Sequence, residues 1–166
     1  MSAKRALVHF LFAAVSAAAC VEAHAADQGS SSFGLTLAPG RQLDQTYTVL
    51  SGRIGHYFAD DFEGSLGLEA WRGKDPSIYK VVPEIRYTMP LNPRARPYGA
   101  LFVTRTFYDG LPDKNTFGAR LGFAFTVNRG ASLGVGIVTE RISGCDSATY
   151  RKCDDTWPEI GLSFSY

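Results

Sequence analysis

The chain has very little histidine and cysteine. Its 166 residues include three His, three Cys and two Met. General acid–base and nucleophilic catalysis most often use His, and a tetrahedral metal site needs four ligands, many of them His or Cys. The sequence therefore predicts a protein without catalytic residues, a metal ion or a cofactor.

An excess of charge of either sign is also missing. The chain has 17 Lys and Arg against 16 Asp and Glu, a formal net charge of +1, and 45% of its residues are hydrophobic. Nucleic-acid-binding domains usually carry a clear excess of basic residues, so nucleic acid is not an expected partner. The composition predicts one compact domain.

Long apolar runs are absent except at the N-terminus. Residues 1–25 start with Lys4 and Arg5, continue with the apolar run Ala6–Ala19 and end in Ala23-His24-Ala25. These three features are typical of a cleaved secretory signal peptide. A retained anchor helix is the less favoured alternative, because the run is shorter than the 20 or so residues that span a membrane.

A lipid-modified Cys20 is a second alternative for the N-terminus, although Ala stands at the first position of Ala17-Ala18-Ala19-Cys20, where Leu is usual. Cleavage of the signal peptide instead leaves residues 26–166 as the mature domain, with 15 basic and 15 acidic residues. In an exported, oxidising setting the remaining Cys145 and Cys153 are expected to form a disulfide.

The chain is rich in glycine and aromatic residues, and apolar residues alternate with polar or small ones in many segments. The chain contains 17 Gly, 11 Phe and 8 Tyr, and in eight segments apolar residues alternate with polar or small ones, a period that predicts β-strands. Pro39-Gly40 is expected to end the first strand, and Pro83 predicts a bulge or kink in the fourth. The predicted strands are Phe33–Ala38, Thr46–Phe58, Phe62–Trp71, Ile78–Met89, Tyr98–Tyr108, Phe117–Thr126, Ser132–Ile142 and Trp157–Tyr166.

The two faces of these strands favour a membrane barrel over a soluble sheet. One face is apolar, whereas the other is built from Gly, Ser, Thr, Ala and charged residues and has too little apolar volume for a soluble core. Connections after even strands are short or fixed by Pro, and those after odd strands tend to be longer, as in outer-membrane barrels with periplasmic termini. We therefore expect an all-β fold, an eight-stranded antiparallel up-and-down transmembrane β-barrel.

Charges of both signs fall on the predicted inner face. Unpaired charges in a narrow lumen would be costly, so they are expected to form a salt-bridge network that closes the barrel. An ion or proton path is the alternative interpretation. The residues are Arg53, Glu69, Glu84, Arg86, Arg105, Arg120, Glu140 and Glu159.

Aromatic side chains near the predicted strand ends are expected at the membrane interfaces, where amphipathic rings are favoured, although β-propensity alone also enriches them in strands. These residues are Tyr47, Tyr57, Phe58, Phe62, Tyr87, Tyr98, Phe107, Tyr108, Trp157 and Tyr166.

Two stretches resemble a known family. The segment from Gly52 to Phe62, a strand followed by the short turn Ala59-Asp60-Asp61, is similar to a hairpin of the small OmpA-, OmpX- and opacity-like outer-membrane β-barrel proteins. The last seven residues alternate and end in an aromatic, as does the terminal strand that the barrel-assembly machinery reads in that class. The resemblance implies that Leu162, Phe164 and Tyr166 form this assembly signal, and that outer-membrane lipid and lipopolysaccharide surround the barrel.

Catalysis and calcium binding have weak support. His56 is the only His of the mature chain, and Ser51, five residues away on one strand, is expected to face the opposite side. The pairs Asp60-Asp61 and Asp154-Asp155 lack the spacing of a calcium loop.

The connection 143–156 is the best candidate for a binding surface. A disulfide would restrict its freedom and present Tyr150, Arg151 and Lys152 to an extracellular ligand. Protection of an exposed loop from proteolysis is an equally good explanation.

We expect a non-enzymatic outer-membrane barrel of a Gram-negative bacterium with a structural, adhesive or envelope-stability role. A narrow porin-like channel for small solutes is the alternative, and a lipid A-modifying enzyme is the third hypothesis.

Overall fold

The computed structural model describes residues 27–42, 45–128, 130–145 and 153–166. Eight strands make up most of the described residues. They are β1 (Ser31–Gln42), β2 (Gln45–Ala59), β3 (Phe62–Arg72), β4 (Ile78–Thr88), β5 (Ala95–Tyr108), β6 (Leu111–Asn128), β7 (Ala131–Ile142) and β8 (Asp154–Ser165).

The strands close into one antiparallel up-and-down barrel. Each strand pairs with the next in the sequence, and β8 pairs with β1. The expected fold class and strand number are therefore confirmed. Within the described residues, no helix is long and apolar enough to cross a membrane.

The closing seam between β1 and β8 is shorter than the other pairings. It runs from Ser32↔Ser165 to Leu37↔Ile160. Continued in the same register, Pro39 would face Pro158, and neither residue has an N–H to donate to the ladder. Two opposed prolines therefore end this seam while both strands continue along their other neighbours.

The two ends of the barrel differ in their connections. The end that holds the connections after β2, β4 and β6, the start of β1 and the finish of β8 is called the turn end, and the opposite end is called the loop end. The expectation of longer odd connections is correct after β7, where eleven residues follow. The five residues after β3 are fewer than the six after β4, and only two follow β1 and β5. The strands themselves are longer than predicted: β1 continues through Pro39 to Gln42, and β6 begins at Leu111.

Pro83 does not produce a bulge. Pairing between β4 and β5 is missing at Val82 and Pro83 and resumes at Glu84↔Phe102 in the same register. The missing N–H of Pro83 thus interrupts the ladder without shifting it.

Side chains alternate between the wall's two faces along most of each strand, and the register shifts lie near the strand ends, at 57–59, 106–108 and 126–128. Outward positions carry exposed apolar residues such as Ile54, Leu68 and Leu101. Only half of the aromatic residues expected at the membrane interfaces point outward. The phase of a strand decides which side chains face the lumen, and it turns five of the ten rings inward. Tyr47, Tyr57, Tyr98, Tyr108 and Trp157 are buried, whereas Phe58, Phe62, Tyr87, Phe107 and Tyr166 are exposed.

Candidate functional site in the lumen

The lumen is filled by two groups of side chains. In an eight-stranded barrel the interior is just wide enough for side chains from opposite walls to meet. The upper lumen, near the loop end, is defined by Tyr47, Trp71, Lys80, Glu140 and Trp157. The lower lumen, towards the turn end, is defined by Arg53, Glu63, Glu69, Glu84, Arg86, Tyr98, Arg120 and Glu159.

Arg120 on β6 is the centre of the lower lumen. Its guanidinium lies 3.0 Å from Glu69 Oε1 on β3 and 2.7 Å from Glu84 Oε2 on β4. It also pairs with Glu159 on β8, and its cationic carbon lies 4.9 Å from the centre of the Phe102 ring. One cation therefore ties three walls of the barrel together.

Glu84 on β4 is one anion with three cationic partners. Besides Arg120, it accepts hydrogen bonds from Arg53 at 2.9 Å and from Arg86 at 3.0 Å. Glu63 extends the chain of charges, 3.9 Å from Arg53 and hydrogen-bonded by the Ser32 hydroxyl. Because each buried carboxylate has a cation or a donor beside it, the cost of burying these charges is offset.

Tyr98 spans the lower lumen over a glycine surface. Its hydroxyl donates to Glu159 at 3.2 Å, and the Arg86 guanidinium lies 4.4 Å from its ring centre. A Cβ added at Gly136 or Gly122 would lie 2.6 or 2.7 Å from the Tyr98 hydroxyl oxygen. The ring therefore lies over the adjacent strands β6 and β7 and reaches Glu159 on β8 because Gly122 and Gly136 leave room for it.

The upper lumen contains one ion pair among aromatic rings. Lys80 Nζ donates to both carboxylate oxygens of Glu140, at 2.9 and 2.6 Å, and the Thr116 hydroxyl donates to the same carboxylate. The ammonium lies 4.1 Å from the Trp71 ring centre, and Trp157 packs edge-on against Trp71 at 5.4 Å. Lys80 is only 2% exposed, so this pair is screened from water.

The turn end of the lumen is open. A cavity of about 410 Å³ is bordered there by Arg96, Thr126, Ser132 and Ser165. A smaller void of about 30 Å³ lies deeper, against Arg53, Arg86, Tyr98 and Glu159. The turn end therefore has the larger cavity, and only a small void lies against the charged network.

The structure brings six of the eight predicted lumen charges together, and these are Arg53, Glu69, Glu84, Arg86, Arg120 and Glu159. Glu140 also points inward, but its partner is Lys80 rather than an arginine. Arg105 was placed on the wrong face. It is half exposed on the outer wall, 3.1 Å from Asp113 Oδ2, because Thr104 and Thr106 take the inward positions of β5.

Sequence reasoning missed Lys80 and Glu63. Both lie in phase with predicted inward residues of the same strand, Lys80 four positions before Glu84 and Glu63 six positions before Glu69. Extending the alternation to the strand ends would have identified them.

The remaining candidates are the cysteines, the residues between them and the last strand. Cys145 and Cys153 form the expected disulfide, whereas Tyr150, Arg151 and Lys152, like Cys20 and residues 1–25, lie outside the described residues. Leu162 and Phe164 alternate outward on β8, and the Tyr166 N–H donates to the Ser31 carbonyl at 2.9 Å.

His56 and Ser51 lie on opposite faces of β2, His56 exposed and Ser51 buried. The distance from the Ser31 hydroxyl oxygen to His56 Nδ1 is 3.5 Å. Among the described residues, no group of three His, Cys, Asp or Glu side chains could hold a metal ion.

Comparison with solved structures finds the same fold. The N-terminal β-barrel domain of Pseudomonas aeruginosa OprF superposes with a TM-score of 0.65 at 12% identity, over 84% of this chain and 98% of that domain. Neisserial surface protein A gives 0.56 at 14% identity, over 81% of this chain and 95% of its own. Ail of Yersinia pestis gives 0.52 at 12% identity, over 84% of this chain and 99% of its own.

No protein-family model and no curated protein matches the sequence. At these identities the likeness establishes the fold, that of the small eight-stranded barrels of bacterial outer membranes.

Proposed function

We propose that the chain is a non-enzymatic integral barrel of a Gram-negative outer membrane, exported by the signal peptide 1–25, with a sealed lumen and a structural role in the envelope. One observation carries the proposal. The described strands place a band of exposed apolar residues outward and most of their charged residues inward, the reverse of a soluble barrel.

The charges on the outer face support this assignment and orient the barrel. On the outward positions of the described strands, formal charges occur only near the loop end. A charged side chain facing lipid costs about 2 to 4 kcal/mol at the bilayer midplane but little at the interface. The loop end therefore marks the outer headgroup level. The outward charged residues are Arg41, Arg72, Arg105, Asp113, Arg141 and Asp154.

The paired charges of the lower lumen and the packed rings of the upper lumen support a closed interior. The cavity at the turn end favours a narrow channel as the second candidate, since it opens on the same side of the lumen as the small void beside the charged network. Ions would cross the lumen only after the charged side chains of the lower lumen and the aromatic rings of the upper lumen had moved apart.

Membrane fractionation tests the location. We expect the protein in the outer-membrane fraction, with a mature N-terminus at Ala26 and faster gel migration before boiling than after it. Recovery from the soluble fraction alone would contradict the proposal, and a lipid on Cys20 would replace its signal-peptide assignment.

Planar-bilayer recording tests the seal. We expect no steady single-channel openings from the wild type, whereas such openings would favour the channel. Changed lipid A composition that depends on His56, tested with His56→Ala, would favour the enzyme hypothesis instead.

Two further assignments belong to the same proposal. Leu162, Phe164 and Tyr166 act as the assembly signal, and the disulfide-closed loop presents Tyr150, Arg151 and Lys152 outside the cell. Pulse-labelled assembly of a Tyr166→Ser variant tests the assembly signal. Binding of an extracellular ligand to a Tyr150→Ala/Arg151→Ala variant, compared with the wild type, tests the loop.

A further inference from the structure

The outer wall has a groove near the loop end. It encloses about 490 Å³ over β4, β5 and β6, and its walls include Val81, Pro83, Val103 and Phe117. The outward orientation of these residues places the groove on the face that we propose contacts lipid.

The groove lies at the interruption in the ladder. Pairing between β4 and β5 is missing at Val82 and Pro83. The side chains of Val81, Pro83 and Val103 are small for lipid-facing positions, whereas Phe117 on β6 stands out from the wall and is 50% exposed. Small residues beside a large one produce an apolar depression on the outer wall.

A cationic group stands at one end of the groove. Arg105 and Asn115 both border it. The Arg105 guanidinium donates one hydrogen bond to Asp113 at 3.1 Å and one to Asn115 at 3.2 Å, and its side chain is 51% exposed. Since a guanidinium has five N–H donors, it retains donors that can bind a phosphate.

We infer that this groove binds a phosphorylated lipid of the outer leaflet, of the lipopolysaccharide type. An acyl chain lies along Val81, Pro83 and Val103, and a lipid phosphate binds Arg105. The inference rests on the proposed function, in which the loop end of the barrel, and with it Arg105, lies at the outer headgroup level. Apolar walls and a cationic end on one outward surface match a lipid with an anionic headgroup.

Arg141 offers a matched control. It also points outward near the loop end of an odd strand, with a carboxylate beside it, 3.7 Å away on Asp154. Arg141 does not border the groove. General attraction of anionic lipid to basic residues would involve both arginines equally, whereas a built site involves Arg105 alone.

The test is titration of the detergent-purified full-length protein with diphosphoryl lipid A, followed by native mass spectrometry. We expect one tightly bound lipid A on the wild type and about tenfold weaker binding to Arg105→Gln, as expected for one lost charge-assisted hydrogen bond. Arg141→Gln should stay within about twofold of the wild type, since a general surface charge contributes little.

The groove itself is tested by Val103→Phe, which fills it, against Leu101→Phe, which adds the same ring two positions away on β5. We expect weaker lipid A binding only in Val103→Phe. Inorganic phosphate should not compete, because the acyl chain contributes to the affinity.

Equal binding by the wild type and Arg105→Gln, or equal losses in Arg105→Gln and Arg141→Gln, would overturn the inference while leaving the membrane barrel intact. Recovery of the protein only from the soluble fraction would overturn the proposed function and this inference together.

Discussion

The upper and lower lumen bury charge in different ways. In the upper lumen a single pair, Lys80 and Glu140, is surrounded by Trp71 and Trp157. In the lower lumen Arg120 has three carboxylate partners and Glu84 has three arginine partners. The first arrangement is an isolated pair in an apolar layer, and the second is a branched network that joins five strands.

This difference predicts how each region tolerates change. An isolated pair can be exchanged for two apolar side chains when its surroundings are already apolar. A network can lose an outlying member because the remaining ones still neutralise each other, but it cannot lose the residue that connects them.

The largest effect is expected from Arg120→Met. It leaves Glu69 and Glu159 buried without their cation, and breaking a buried pair in this way costs about 3 to 5 kcal/mol. Urea unfolding in detergent micelles, followed by tryptophan fluorescence, measures the loss. Arg86→Met is the control, since Glu84 keeps Arg53 and Arg120. Equal losses in both variants would show that the lower lumen is not organised around Arg120.

A smaller loss is expected from Lys80→Met, which removes the ion-pair partner of Glu140 but leaves the Thr116 hydroxyl beside it. We expect about 3 kcal/mol. The double variant Lys80→Met/Glu140→Leu should return to within about 1 kcal/mol of the wild type, because two apolar side chains suit the aromatic layer. The same unfolding assay measures both. A double variant no more stable than the single one would remove the distinction between the two regions.

A third prediction concerns the glycine surface below Tyr98. Gly136→Ala places a methyl group 2.6 Å from the Tyr98 hydroxyl oxygen and 2.7 Å from the Leu121 carbonyl oxygen. We expect a loss of about 1 to 3 kcal/mol from this overpacking. Gly67→Ala is the control, because its added Cβ would meet nothing nearer than 3.5 Å. An unchanged stability of Gly136→Ala would mean that the wall yields at this position.

The smallest effect is expected outside the lumen. Arg105→Gln removes an exposed ion pair with Asp113, and exposed pairs contribute below about 1 kcal/mol. Its unfolding midpoint should therefore match the wild type, so a change in lipid binding can be read without a change in folding. A loss as large as that of Lys80→Met would show that Arg105 supports the wall itself.

Most of the strand order and most of the inward charges could be predicted before the structure was known. Alternation identified all eight strands and six members of the lower network. Arg105 could not be placed, because β5 is apolar on both faces from Leu101 to Val103 and its phase is ambiguous. The pairing of Lys80 with Glu140 was missed for a different reason. Alternation can place both residues on the inner face but does not show which charges meet, since these two lie 60 residues apart and come together only across the closed lumen.

The sequence alone determined that the chain forms strands, how many there are and that one face is apolar, because a period of two is a local property of the backbone. Only the tertiary structure decided which aromatic rings fill the lumen, which carboxylate binds which cation and where the groove beside Pro83 lies. These features depend on register and closure, which bring side chains from distant strands into contact across the barrel.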